Sequence, residues 1–242
     1  VTITAFDVEM IGSLTAGTHT LSIHGAEAAQ SIGLGASPFN MEISALELQR
    51  LTAASGFRLG SDASGSITVT TITATNSNNV VPVVTMVAKA DEAQVIFTGG
   101  GSTFYGVAAQ ADAGVNLVKH VAGSSGIVHL NGDAENGGSA DSNSNTVEFT
   151  DGLTIVAGSV MTLAATTVAM EPAGKLTLAA KTGVYITDHM TAAANNQALV
   201  INADSDSAGS NGALTVASTK TVTSSKSDVT ITAFDVEMIG SL

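Results

Sequence analysis

The sequence predicts an all-β protein built as a parallel β-solenoid, and three observations lead there. Short runs in which apolar residues alternate with Thr, Ser or Asn recur along the whole chain, which is the period-two pattern of strands with one buried face. Between them lie clusters of Gly, Asn, Asp and Ser suited to turns. The apolar residues are mainly Ala, Val, Ile and Leu, with aromatics at only 4%. Strands of about 3 to 6 residues are too short to be stable alone or in pairs, so they must stack. In a solenoid, coils add in parallel and small or β-branched side chains climb a narrow core as ladders. Helix is expected below roughly 10% of residues, under the usual share. An array of small β-sandwiches is the second architecture, and it would require antiparallel neighbours.

In chain order the predicted strands start near Val1, Leu21, Met41, Ile67, Val95, Val115, Val147, Leu176, Leu199, Leu214 and Val229. Several starts are spaced by about 15 to 20 residues, which predicts roughly 12 coils, and at ~4.8 Å per coil a rise of about 55–60 Å. Turn clusters fall at Ser61–Gly65, Asn131–Asp133, Asn136–Ser139 and Asp204–Gly212. Three segments depart from the rhythm. Ile43–Thr52 (ISALELQRLT) reads as a bent strand, with a one-turn helix as the alternative. Gly99–Ser102 reads as a tight loop. Asn131–Asn145 holds no apolar residue larger than Ala and reads as a surface loop or a locally mobile segment.

Val1–Leu14 and Val229–Leu242 carry the identical string VTITAFDVEMIGSL, 228 residues apart. Residues 1–228 therefore read as one tandem-repeat unit and residues 229–242 as the start of the next. The expected solenoid is open-ended and continuous between repeats, with the two 14-mers related by a translation along its axis.

Composition removes several functions. Eight basic against 21 acidic residues give a formal net charge of -13, which excludes the neutralisation of a run of nucleic-acid phosphates. The longest nearly apolar stretch, Val80–Ala88, is about half the ~20 residues of a spanning helix and contains Pro82, so no membrane span is expected. The scarcity of Trp and Tyr also argues against the aromatic girdles of a membrane barrel. Without cysteine there is no disulfide, thiolate metal site or thiol nucleophile. Charged residues are 12% of the chain while Ser and Thr number 55, so the surface is polar but weakly charged.

The stretch Met41–Ile72 (MEISALELQRLTAASGFRLGSDASGSITVTTI) resembles a recurring phrase of large repetitive surface proteins of the filamentous-haemagglutinin or adhesin type. It carries their IS-x-x-ELQR-[IL]-T opening, a Gly-centred turn and G-x-I-x-V. Val1–Gly17 and Gly174–Thr187 (GKLTLAAKTGVYIT) resemble their coil repeats. The resemblance implies a right-handed parallel β-helix, secreted or displayed as a long fibre, with an adhesive or scaffolding role and no catalytic residues to carry over.

Read for chemistry, the five histidines (His19, His24, His120, His129, His189) show no paired-ligand spacing, and His24 has the parity of an outward strand residue. The acidic turns Asp133–Asp141 and Asp204–Asp206 offer oxygen ligands to Ca²⁺ but match no calcium-loop pattern, and Asx turns bonding their own backbone explain them more simply. No other cofactor is expected. Glu148 and Asp151 are the one local carboxylate pair that suggests glycoside chemistry. Thr-x-Thr pairs (Thr2/Thr4, Thr18/Thr20, Thr68/Thr70, Thr71/Thr73, Thr221/Thr223, Thr230/Thr232) suggest an ice-binding array, but their spacing is too irregular for a continuous row. Gly99–Gly101 lacks the Lys of a phosphate loop. No Asn-x-Ser/Thr sequon occurs, whereas O-linked glycans remain open. The reading is a non-enzymatic, filament-forming structural protein of the cell surface or extracellular space. It would self-associate or repeat end to end. The alternatives are an adhesin shaft that binds glycans and, behind it, a polysaccharide-active β-helix enzyme.

Overall fold

The computed structural model describes residues 1–135, 145–165, 169–209 and 211–242. Every strand pair among them is parallel, which excludes the sandwich array. The chain winds around three faces as a parallel solenoid. The first face is a sheet of ten strands that runs from Thr2–Ala5 through Leu21–Gly25 and Phe57–Ser61 to Ala213–Val216 and Asp235–Met238. The second holds nine strands, among them Ile32–Leu34, Val95–Thr98, Val147–Phe149 and Met170–Pro172. The third holds six, from Ser102–Phe104 to Val229–Thr232. From Val84 on the chain visits the faces in that order on each turn, whereas between Leu21 and Phe57 it lays two paired strands, Ile32–Leu34 and Met41–Ile43, on the second face.

All eleven predicted runs are strands, but the turn is longer than expected. Ser22 pairs with Arg58, 36 residues on, while Thr2 pairs with Ser22 after 20. Strands such as Phe57–Ser61, Val84–Ala88 and Val128–Asn131 lie between the recognised runs. The 15–20-residue rhythm therefore mixed steps around one turn with steps between turns. From first to last strand the first face has nine steps, about 43 Å at ~4.8 Å each, rather than 55–60 Å.

Alternation becomes rows when strands stack in register. Leu21, Phe57, Val84, Val107, Val128, Met161, Val184 and Leu214 form one inward row on the first face. Ile23, Leu59, Met86, Ala109, Leu130, Leu163, Ile186 and Val216 form the second. All of these are buried, and they meet the inward rows of the other faces in one continuous core. The four fully buried phenylalanines, Phe57, Phe97, Phe104 and Phe149, are its largest fully buried side chains. Val80–Ala88 contributes the buried strand Val84–Ala88, and among the described residues no helix is long and apolar enough to cross a membrane.

Ile43–Thr52 is not one bent strand but holds the short helix of the alternative reading. Met41–Ile43 ends at Ser44, helix α1 spans Ala45–Gln49, and Leu51–Thr52 resumes as a strand. Ser44 and Glu47 close a capping box: the Ser44 hydroxyl accepts from the Glu47 N–H at 3.2 Å and the Glu47 carboxylate accepts from the Ser44 N–H at 2.8 Å. Helix α2, Ala74–Ser77, repeats the device with Thr73 and Asn76. The two helices pack together and lie on the third side of the early turns, before its sheet begins at Ser102. The loop Gly99–Ser102 is a tight corner: Gly99 has φ +71°, and a Cβ there would stand 2.4 Å from the Thr70 methyl. Of the predicted loop Asn131–Asn145, residues 136–144 lie outside the described residues, as does residue 210 of the Asp204–Gly212 turn.

The duplicated 14-mers stand at opposite ends of the solenoid, and they are not related by translation alone. At the start, Thr2–Ala5 lies on the first face against Leu21–Gly25. Asp7 then reaches the second-face strand Met41–Ile43, its carboxylate accepting from the Glu42 N–H at 2.9 Å, and Leu14–Thr15 pairs Leu51–Thr52 on the third side. In the second copy, Val229–Thr232 lies on the third face against Leu199–Asn202, Asp235–Met238 on the first, and Ser241 bridges Thr221 on the second. The segment makes one turn in both places, begun one face earlier in the second.

Leu130→Ala is expected to destabilise the fold by about 2–5 kcal/mol, because Leu130 is fully buried between Ala109 and Leu163 in its row and its loss opens a cavity. Denaturant unfolding followed by circular dichroism measures it.

Candidate functional site

Polar groups sit where a row turns outward or a corner must be fastened, and this decides what each can do. His24 does face outward, and its Nε2 lies 3.1 Å from the Thr4 hydroxyl one rung away. The His120 Nδ1 accepts from the Thr154 N–H at 2.8 Å, and the His189 Nδ1 accepts from the Thr221 N–H at 3.2 Å. These two rings tie one turn to the next, 34 and 32 residues apart in sequence. His129 stands in an outward row between Ala108 and Thr162. Burial among these uncharged neighbours lowers its pKa from the ordinary 6.5. Among the described residues no three His, Cys, Asp or Glu side chains gather as metal ligands.

In the turn Asp204–Asp206 one carboxylate is bonded to the local backbone, while Oδ1 of Asp204 is buried without a hydrogen-bond partner among the described residues. The Asp206 carboxylate accepts from the Ala208 N–H at 3.2 Å, and the Asp204 N–H donates to the Asn202 side chain at 3.2 Å. Of the other turn, Asp141 lies outside the described residues, and Asp133 is fully buried just past the strand Val128–Asn131. Asp188, 6% exposed, receives the Lys220 ammonium at 2.6 Å and the Ala165 N–H at 3.1 Å. It fastens three successive turns and is committed to that role.

Asp151 does not pair with Glu148. Its carboxylate accepts from the Lys175 N–H at 2.7 Å at a corner between turns. Register instead places Glu148 beside Glu171, one rung apart and both pointing outward on the second face. With Asn116, Val118, Thr150 and Ala173 they line a shallow groove of ≈ 250 Å³. Two carboxylates on neighbouring turns have the coarse spacing of a glycosidase pair. The acid and the base of such a pair need unlike surroundings, whereas these two share one open sheet face, and the nearby Phe149 ring is buried and offers no sugar platform. The signal for the pair was present as V-E-F and M-E-P, two x-Glu-x strands 23 residues apart, but only the turn length aligns them.

The Thr-x-Thr pairs do not merge into an array. On the third face one outward row reads Thr154, Thr177, Val200, Thr230 and its neighbour reads Val156, Ala179, Asn202, Thr232. Hydroxyls are interrupted by Val and Ala, which leaves a flat and uncharged but chemically mixed surface.

Exposed apolar side chains cluster elsewhere. Val1, Phe6, Ile11 and Leu46 stand out at one end of the solenoid, and Phe234, Val236, Met238, Ile239 and Leu242 at the other; among the described residues the flanks show only Ile127, Val156 and Tyr185 as large exposed apolar residues. The most conspicuous surfaces are therefore the two ends, where the identical 14-mers lie. Comparison with models of known families, with curated proteins and with solved structures finds no match to this chain.

The lowered pKa of His129 sets a pH dependence. Below about 6.5 the unfolded chain takes up a proton that the folded chain refuses, so stability falls as pH drops from 6.5 towards the folded pKa and levels beyond it. Urea unfolding of the protein and of His129→Gln across pH 5–8 is expected to show that part of the decline only in the former.

Proposed function

We propose that this chain is a structural, filament-forming repeat protein displayed outside the cell, in which 228-residue units follow one another as a continuous solenoid. The observation that carries the reading is the concentration of exposed apolar side chains at the two ends, all but Leu46 on the same 14-residue sequence. Exposed apolar patches mark surfaces meant to be covered, and the edge of a parallel sheet is a template for a further strand. A following unit satisfies both needs at once. The low charge density limits repulsion between consecutive units, while the net charge of -13 keeps neighbouring fibres apart. The weakly charged flanks suit a shaft, and an adhesin shaft with glycan contacts is the same architecture with a binding role added.

A second reading, a polysaccharide-active β-helix enzyme, is favoured by one observation, the Glu148–Glu171 groove. It predicts cleavage of a polysaccharide that is abolished by Glu148→Gln or Glu171→Gln, whereas the structural reading expects no turnover on a panel of plant, algal and bacterial polysaccharides followed by reducing-end assay.

Electron microscopy of a chain of four units in series tests the structural reading. A single rod of even width, lengthening by about 42 Å per unit from the ~4.8 Å strand spacing, is the expected result. Separate beads on flexible links would overturn it.

A further inference from the structure

The two copies of VTITAFDVEMIGSL differ in where they start, and the difference has a pattern. Going from the end of the solenoid to its beginning, the strand VTIT changes from the third face to the first. The segment DVEM changes from the first face to the second, where Asp7 meets Glu42 and Val8 and Met10 pack on the core. The final Ser-Leu changes from the second face to the third side. Every segment advances by one face.

We infer that, where units follow in series, one 14-residue turn serves as the last turn of one unit and the first of the next, so that successive units are rotated by one face, about a third of a turn. This rests on the reading of the chain as a unit of a continuous solenoid. The third face of each unit runs on into the first face of its successor, the first into the second, and the second into the third.

The hydrogen bonds show that the two roles do not compete. In a parallel strand, alternate residues turn their N–H and C=O groups to opposite edges. At the end of the solenoid the carbonyls of Asp228 and Thr232 accept from Leu199 and Ala203 at 3.0 and 2.8 Å. At its beginning the carbonyls of Val1 and Ala5 accept from Ser22 and Ala26 at 2.8 and 2.9 Å. Val1 and Ala5 are the counterparts of Val229 and Ala233, so the two sets belong to alternate residues and to opposite edges of one strand. The closing residues divide in the same way. Ser241 turns both backbone groups to Lys220 and Val222, at 2.9 Å each, whereas Leu14, the counterpart of Leu242, donates to the Arg50 carbonyl at 3.1 Å. Of the inward side chains, Ile3 and Ile231, and Ala5 and Ala233, pack on the core in either place, whereas Val8 and Met10 do so at the beginning and their counterparts Val236 and Met238 are exposed at the end. One turn can thus be bonded from below and above at once, provided the next unit is rotated. Counted on the first face, the unit winds eight full turns and two further faces before the 14-mer recurs. That fraction is the rotation, and three units complete a whole number of turns.

The chain contains no cysteine, so paired nitroxide labels can be placed at will in a chain of two units in series. Rotation stacks the first unit's Val200, the junction Thr230 and the second unit's Ser22 as consecutive rungs of one outward row. Labels at the first unit's Val200→Cys and the second unit's Ser22→Cys are then expected two rungs apart, about 10 Å from the ~4.8 Å strand spacing, with strong dipolar broadening. A second pair with Thr177→Cys in place of Val200→Cys adds one rung, and a reference pair with Thr215→Cys points from another face and couples weakly. If Thr215 gives the close pair instead, the units are joined without rotation: the inference fails and the continuous fibre stands. If no pair couples, the units are hinged, and both readings fail. Circular dichroism of each labelled chain confirms that the solenoid has formed.

Discussion

The structure depends on one constraint: strands that follow one another around the solenoid must return to hydrogen-bonding distance of the strand one turn earlier, in register and in parallel. At ~4.8 Å per rung, a side chain has as its closest neighbours the residues at the same height on adjacent turns. The interior then consists of rows, such as Ile67, Val95, Val115, Val147 and Met170 on the second face, where each member covers the next from solvent. The same rule governs the outside, where it has no regard for chemical preference. It stacks Glu148 on Glu171 and interrupts the threonine rows with Val200 and Ala179. Outer rows are thus a by-product of inner ones, except where an outward group also bonds across the rung, as His120 does to Thr154.

Because pairing needs only the strands to be in phase, the corners are free to vary in length. The chain takes four residues from Leu117 to Val121 and eleven from Asn202 to Ala213, with no change in the pairing on either side. Where polar groups are drawn inward they compensate for corner backbone that no sheet satisfies. Glu47 serves both its own helix start and the Met10 N–H at 2.8 Å, and Asp188 serves Ala165 and Lys220.

The architecture was legible in the sequence to the extent that it depends on alternation. Leu21-Ser22-Ile23 and Leu214-Thr215-Val216 announce an inward and an outward side by themselves, and all the runs chosen on that ground are strands. What alternation cannot convey is which runs share a face. Val84–Ala88 is buried at four of its five positions and reads as a plain apolar stretch, and Leu199, Leu214 and Val229, spaced 15 apart, lie on the third, first and third faces, so steps between faces pass for turns and the turn length comes out too short. Helix α1 stands only as the alternative reading for a related reason: ISALELQRLT satisfies neither period, and its signature is the Ser44-x-x-Glu47 cap rather than a hydrophobic pattern. The Glu148–Glu171 neighbourhood needed the turn length as well, since 23 residues separate two glutamates that the pleat sets side by side. The shift between the duplicated 14-mers is the extreme case, because an identical sequence carries no hint that its two settings differ.

The variable corners also determine how such a molecule yields to force. The hydrogen bonds between rungs run along the solenoid axis, so tension applied to the chain loads the outermost rung alone, and turns peel away one at a time. Each turn stores 20 to 36 residues, judged by the spacing of Thr2, Ser22 and Arg58, and at ~3.5 Å per extended residue releases about 70 to 125 Å of chain. A shaft built this way is stiff under compression, where every rung bears on the next. Under pull it lengthens in discrete steps whose sizes are written in the corner lengths.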